Sequence, residues 1–287
     1  MMTFWFISIA SLLLLGLAVR WRQQQRSQHQ QLRLGLTHLS HLQQLVMLCQ
    51  QHRGTSNAVV NGDQSLRPQL INLQQQIDSF IKDRQSRALE RFPQWQSFID
   101  HWPRLKQSVL NSNQKAFLLV RQHNLMIEGQ LSLIDDVSRY YRLHHLMLDN
   151  MTRVSEVCLD TLRVAEMIGQ MRAIGSGICS RGRVDGADAI ALEFLYRSVQ
   201  GRTEALLREL QAIKNPQLRK VLNSQLPLIR EHISQLLQLV EQEVLGKKVT
   251  QLDATKYFSV ATRPISAVLD SFNIITQYAV NNYAKLI

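Results

Sequence analysis

The amino-acid sequence predicts an all-α protein in which an N-terminal transmembrane helix is followed by two antiparallel four-helix bundles. Apolar residues recur at spacings of three and four along most of the chain, which is the period of a helix with one buried face. Runs of alternating valine, isoleucine and threonine, which would indicate strands, are missing. Helices joined by short connections pack as antiparallel neighbours. The predicted helices after the membrane segment span residues 28–61, 66–90, 94–110, 114–149, 152–180, 187–213, 216–245 and 254–286.

Residues 1–22 are predicted to form a single-pass membrane anchor. Residues 1–19 contain no charged side chain, and this length is enough to cross a hydrocarbon core of about 30 Å. A cleavable signal peptide would begin with basic residues and end in a small-x-small site. Neither is present, which favours an uncleaved anchor over a signal peptide, with a buried core helix as the other alternative. Basic residues follow the span, so the N-terminus is expected outside the inner membrane and the helical domain in the cytoplasm. These residues are Arg20, Arg22, Arg26 and Arg33.

A glutamine-rich connector, residues 23–31, leads from the anchor to the first bundle. Glutamine is compatible with a helix, so the connector is either a helical stalk or a flexible tether. The first bundle is predicted to cover residues 32–150 and the second residues 151–287. Turn-forming pairs separate the helices within the bundles. They include Asn61-Gly62, Phe92-Pro93, Asn215-Pro216 and Gly246-Lys247.

The composition limits the kinds of partner and chemistry. The formal net charge is +11 and is spread along the chain, which favours anionic partners. Nucleic acid is not expected among them, because no nucleic-acid module is recognisable and aromatic residues do not alternate with the basic ones. The three cysteines are too far apart for a disulfide framework and are predicted to be reduced core residues. The histidines lack metal-ligand spacing and no catalytic motif is present, so we predict no metal site, no cofactor and no enzymatic activity.

Arg53 is the strongest candidate for a binding residue. It lies in the run Gln50–Asn57, inside a helical apolar face that continues on both sides, so its guanidinium is expected near the packed face. Arginine does not lose its charge, and an unpaired buried ion is costly. No acid lies one helical turn away in the sequence. Arg53 therefore either extends to solvent or captures a small anion, and in the second case Arg53→Ala is expected to raise stability when no anion is bound.

A second unusual stretch covers residues 169–186, where Gly169, Gly175 and Gly177 fall within a predicted helix. Each glycine in a helix interior costs about 0.5–1 kcal/mol relative to alanine. No predicted strand precedes the stretch, so a dinucleotide- or phosphate-binding loop is not indicated. Close helix packing and an opening for a ligand are the two explanations that remain.

Three motifs, in this order, resemble the NIT domain, the nitrate- and nitrite-sensing helical domain of bacterial regulators. They are the Gln50-x-x-Arg53-Gly54-x-Ser56 run, the run Gly169 to Gly175 with Arg181-Gly182-Arg183 after it, and Tyr257-Phe258 ahead of Thr262-Arg263. The resemblance covers residues 28–287 as one domain and implies a double-bundle form. It also implies that Arg53, Arg172 and Arg263 converge on one anion. Thr55 and Ser56 would donate hydroxyls to it.

These observations lead us to expect a membrane-anchored sensor or binding protein for nitrate or nitrite. NIT domains commonly adjoin an output module, and none follows the last predicted helix, so the signal is expected to reach a separate protein partner through a helix rearrangement. Whether the chain forms a homodimer is left open. The alternative is a helical scaffold tethered to the inner membrane, whose basic and glutamine-rich faces bind another protein and no small ligand.

Overall fold

The computed structural model describes the backbone of residues 2–110, 115–149 and 151–283 and the side chains of residues 15–109, 115–149 and 151–283. Within these ranges the chain forms nine α-helices and no strand, and the predicted all-α fold is confirmed. The helices are α1 (Met2–Val60), α2 (Arg67–Lys82), α3 (Arg84–Arg87), α4 (Pro93–Leu110), α5 (Ala116–Tyr140), α6 (Val154–Arg181), α7 (Gly186–Ala212), α8 (Pro216–Glu243) and α9 (Ala254–Tyr283).

The helices pack into two groups, called here the first ring and the second ring. In the first ring α1 packs on α2 and α5, and α4 packs on α5. Trp102 of α4 closes this ring, because its indole N–H donates to a carboxylate oxygen of Asp78 on α2 at 2.8 Å. In the second ring α6 packs on α7 and α9, and α8 also packs on α7 and α9. The rings share an interface at which α1 contacts α6 and α9, and α5 contacts α6.

Helix α6 lies at the centre of this interface. It contacts α1 and α5 of the first ring and α7 and α9 of its own ring. A helix packed on several sides needs small or apolar residues around most of its circumference, and the buried residues of α6 include valine, isoleucine, alanine and glycine along its length. The residues of α6 therefore set how closely the two rings approach each other.

The three glycines of α6 are sites of close packing. A Cβ atom on Gly175 would lie 2.1 Å from the Tyr257 ring, and one on Gly169 would lie 2.7 Å from the Arg53 guanidinium. A Cβ atom on Gly177 would lie 2.9 Å from the side-chain amide nitrogen of Asn57. These distances are too short for any larger residue without displacement of the neighbour, so side chains from α1 and α9 account for the glycines.

No helix in the part of the chain with described side chains is long and apolar enough to cross a membrane. The predicted anchor, residues 1–22, lies mostly outside that part. The structure therefore adds no support for the predicted transmembrane helix.

The connector at residues 23–31 is helical, because α1 continues through it without a break. Of the two alternatives left open by the sequence, the structure thus shows the stalk. The imidazole of His29 lies 2.9 Å from the carbonyl oxygen of Tyr283, near the end of α9. This contact holds the stalk against the last helix of the second ring.

Two of the predicted helices end earlier than expected. The predicted helix 66–90 stops at Lys82, because Asp83 is extended with φ −63° and ψ 148°, and the hydroxyl of Ser86 donates to the Phe80 carbonyl at 2.6 Å. The predicted helix 114–149 stops at Tyr140, and Arg142 adopts the left-handed conformation with φ 58°. Both ends depend on conformations of single residues that the apolar period does not reveal.

Gly175→Ala should destabilise the protein by about 1–3 kcal/mol, because the new methyl group would displace the fully buried ring of Tyr257. Gly201→Ala is the matched control: this exposed glycine lies inside α7, where a Cβ atom meets nothing within 4 Å. The control should gain about 0.5–1 kcal/mol from helix propensity. Urea unfolding of both variants measures the difference. Equal stabilities would show that α6 does not need glycine at position 175.

Candidate functional site

Arg53 forms a buried ion pair with Glu166 where α1 meets α6. The Arg53 side chain is completely buried and that of Glu166 is 4% exposed. Arg53 Nη1 lies 2.5 Å from Glu166 Oε1, and Nη2 lies 3.2 Å from Oε2. Arg53 is therefore on the packed face, as predicted. The expectation that no acid neutralises it is wrong, because the carboxylate comes from a helix distant in sequence.

Three amide side chains complete the surroundings of this pair. Gln50 donates to Glu166 Oε2 at 2.8 Å, and Gln170 donates to Oε1 at 2.9 Å. Each carboxylate oxygen thus accepts one hydrogen bond from Arg53 and one from an amide. Asn124 of α5 accepts a hydrogen bond from Arg53 Nη1 at 2.7 Å. Hydrogen bonds to both carboxylate oxygens help to make a buried charge pair tolerable.

Arg172 is a second buried guanidinium at the same interface. It is 4% exposed, its Nη1 donates to the hydroxyl of Thr262 at 3.0 Å, and its Cζ lies 4.7 Å from the centre of the Phe258 ring. Burial and then the nearby charge of Arg53 lower the pKa of Arg172 to about 10. The group remains protonated at neutral pH. In the described residues it forms no ion pair.

The two arginines and Glu166 leave one excess positive charge in the interface. The Nε–H groups of Arg53 and Arg172 are both buried, and neither finds an acceptor among the described residues. A buried donor without a partner costs free energy, and more so when the group is charged. The interface therefore combines an excess positive charge with two N–H donors that find no acceptor among the described residues.

The remaining predicted site residues do not contact this pair of arginines. Arg263 is exposed and lines a groove between α8 and α9, whose wall includes Phe258 and Thr262. Ser56 is buried with its hydroxyl 3.4 Å from His52 Nδ1, and Thr55 is buried two positions from Arg53. The charge of Arg53 acts on Arg172, whereas Arg263, Thr55 and Ser56 form no hydrogen bond with either arginine in the part of the chain that the structure describes.

A chain of neutral histidines lies beside Arg53 in the first ring. His123 Nδ1 must donate to the Leu119 carbonyl at 2.8 Å, because a carbonyl only accepts. His123 Nε2 therefore accepts from His52 Nδ1 at 2.7 Å, and His52 Nε2 accepts from Gln74 at 3.3 Å. Burial lowers the pKa of His123 to about 3 and that of His52 well below its usual value. The chain stays uncharged at neutral pH and adds no charge to the site.

A cavity of about 440 Å³ adjoins the ion pair. Its wall contains Asn124 and Gln170, the same side chains that bond to Arg53 and Glu166. Asn57 and Arg181 are also in the wall, together with apolar residues of α5 and α7. The cavity is therefore linked to the ion pair through the amides of Asn124 and Gln170, which line it and bond to Arg53 and Glu166.

Glu166 was not among the predicted site residues, although the sequence contains a signal for it. Glu166 interrupts the apolar run Val164 to Ile168 of a helix that is otherwise small or hydrophobic. A carboxylate in such a position is rarely buried unless it is paired. Nothing in the sequence marked Asn124 or Gln170 as site residues, because amides are common on exposed helix faces.

Fold and site together define an all-helical domain with a buried cationic site between two helix rings. The chain belongs to the NIT family, described as nitrate and nitrite sensing, whose sequence model matches residues 44–277. This confirms the resemblance seen in the motifs. Among solved structures, the NasR transcription antiterminator is similar in fold, with a TM-score of 0.69 at 18% identity over 95% of this chain and 75% of that one. A search of curated proteins finds no match.

Arg53→Ala should destabilise the protein by about 3–5 kcal/mol, because it leaves the carboxylate of Glu166 buried without the guanidinium that bonds to both of its oxygens. This reverses the expectation drawn from the sequence. The double variant Arg53→Met/Glu166→Met removes both charges and should recover most of the loss. Arg197→Ala is the control, since its pair with Glu193 is exposed and worth about 0–1 kcal/mol. Chemical unfolding that gives Arg53→Ala the stability of the control would contradict the structural role of the pair.

Proposed function

We propose that this protein senses nitrate or nitrite by binding the anion between Arg53 and Arg172. The observation that carries the proposal is the excess positive charge in the interface, together with two buried Nε–H donors that find no acceptor within residues 15–109, 115–149 and 151–283. The family description of nitrate and nitrite sensing names the ligand class. A small monoanion would balance the charge and accept from both donors.

The chemistry of nitrate and nitrite suits a site made from guanidinium groups. Both anions are planar, carry one negative charge and present several acceptor oxygens. The planar donor fork of arginine matches such oxygens in a way that a lysine ammonium does not. Each hydrogen bond to a charged group contributes about 1.5–3 kcal/mol net.

The signal would be a change in how the two rings pack. Arg53 belongs to α1 of the first ring, whereas Arg172 belongs to α6 and contacts Phe258 and Thr262 of α9. Two guanidiniums repel each other, and an anion between them replaces repulsion by attraction. Because the ligand interacts differently with the open and closed arrangements, it shifts the population towards the closed one. In this proposal a separate protein partner reads the shift, either from the monomer or from a homodimer.

The other predicted site residues have supporting roles in the proposal. Arg263 is exposed beside Thr262, where its charge would raise the local concentration of anions. Thr55 and Ser56 flank the site on α1, and their hydroxyls would reach the ligand only after α1 has moved. Substitution of these residues should therefore affect affinity less than substitution of Arg172.

Arg172→Lys should lower the affinity for nitrate at least tenfold, because the charge remains but the donor fork is lost. Arg53→Lys should have a similar effect and also weakens the contact with Glu166. Isothermal titration of the full chain in detergent with nitrate, nitrite and chloride measures this, with the exposed Arg197→Lys as a control. If the wild-type chain shows neither heat nor a melting shift with millimolar nitrate or nitrite, the sensing function is wrong. Unchanged affinity in Arg172→Lys would remove that residue from the site.

We also propose that residues 1–22 anchor the protein in the inner membrane, with the helical domain in the cytoplasm. The support is the uncharged apolar stretch followed by Arg20, Arg22, Arg26 and Arg33. In this orientation the domain would sample intracellular anions.

Deletion of residues 2–22 should move the protein from the membrane fraction to the soluble fraction, because it removes the apolar stretch. A reporter that is active only in the cytoplasm should give signal when fused after Ile287 of the full chain. The matched control for fractionation is a full-length chain with Arg197→Lys. Recovery of the full chain in the soluble fraction, or activity of a periplasm-only reporter, would contradict the proposed anchoring or its orientation.

A further inference from the structure

We infer that Glu166 restricts the buried site to anions of a single negative charge. The inference rests on the proposed function, because it concerns the ligand that binds between Arg53 and Arg172. It assigns to Glu166 a role in specificity beyond its contact with Arg53. Glu166 touches the guanidinium that holds the anion and is thus a positioning and selectivity residue.

The charges of the interface sum to one excess positive charge. Arg53 and Arg172 supply two positive charges and Glu166 supplies one negative charge, all with side chains almost completely buried. A monoanion brings the sum to zero. A dianion such as sulfate, which is also small and rich in acceptor oxygens, would leave one negative charge away from water. Because buried net charge is strongly disfavoured, the site should reject the dianion.

The hydrogen bonds around Glu166 suit its ionised form, so its negative charge is counted in the net charge of the interface. Its two oxygens face four N–H donors, two from Arg53 and one each from Gln50 and Gln170. All four groups are donors in the observed arrangement, so none of them can accept a hydrogen bond from a carboxyl O–H. The surroundings are thus built for the carboxylate form.

The same contacts prevent an anion from taking the place of Glu166. The carboxylate is held by groups on α1 and α6, and α6 is packed on several sides. Its displacement would leave Gln50 and Gln170 without acceptors. The ligand is therefore expected to add to the ion pair at the free Nε–H groups, and Glu166 remains the counter-charge while it is bound.

Asn124 offers a second position at which the charge beside Arg53 can be changed. Asn124 is half-buried, bonds to Arg53 and lies in the wall of the cavity. A lysine at this position would place an additional positive charge beside Arg53 while its stem lies in the cavity. This change raises the charge of the site without removal of Glu166.

The test compares nitrate with sulfate in isothermal titrations of the full chain in detergent. In the wild type, sulfate should bind at least tenfold more weakly than nitrate. Glu166→Gln preserves the shape of the side chain and removes its charge, so the ratio of sulfate to nitrate affinity should rise at least tenfold. Asn124→Lys should raise the ratio in the same direction, and it keeps the test decisive if Glu166→Gln does not fold. Glu166→Asp is the matched control, because it keeps the charge and should keep the wild-type ratio.

The outcomes separate the inference from the proposed function. A wild-type chain that binds neither nitrate nor nitrite would overturn the function and the inference with it. A wild-type chain that binds nitrate, with folded Glu166→Gln or Asn124→Lys variants that keep the wild-type ratio, would overturn the inference alone. A ratio that rises equally in Glu166→Asp would also overturn it, since shape and not charge would then set the selectivity.

Discussion

The ion pair between Arg53 and Glu166 is the contact on which the arrangement of the two helix rings depends. It joins α1 to α6 in a place that water does not reach. Two charges are stable there only if the geometry is good and the remaining polar atoms are bonded. Those bonds come from α1, α5 and α6. Three helices from both rings must therefore keep their relative positions for the pair to remain favourable.

The glycines of α6 follow from the same constraint. The guanidinium of Arg53 lies over Gly169, the amide of Asn57 lies over Gly177, and the ring of Tyr257 lies over Gly175. Each of these side chains occupies space that the methyl group of an alanine in α6 would need. The helix accepts the lower propensity of glycine because α1 and α9 can then place polar and aromatic groups against its backbone. Asn57 uses this access to donate to the carbonyl of Ala173 at 2.9 Å.

The sequence predicted the fold class and the position of Arg53 because both follow from local periodicity. A spacing of three and four defines a packed face, and Arg53 lies on it. Glu166 could not be assigned as its partner, since the pairing joins residues 113 positions apart and depends on how α6 packs. The same holds for the glycines, whose role becomes visible only with Tyr257 and Arg53 beside them. Family motifs indicated Arg172, whereas the exposure of Arg263 required the structure.

In the proposed function Arg172 is the residue whose environment changes when the anion binds, whereas the ion pair stabilises the interface. The charge of Glu166 is already matched to Arg53, so among the described residues Arg172 is held by a hydroxyl and an aromatic ring. Burial of this second guanidinium, and then the nearby charge of Arg53, lowers its pKa to about 10, so its protonated form is less favourable here than in water. Any ligand that removes this cost binds the folded state in preference to the unfolded one and stabilises it. Arg172 belongs to α6 and contacts α9. A ligand that lowers the free-energy cost of burying Arg172 would therefore act on the two helices that connect the second ring to α1.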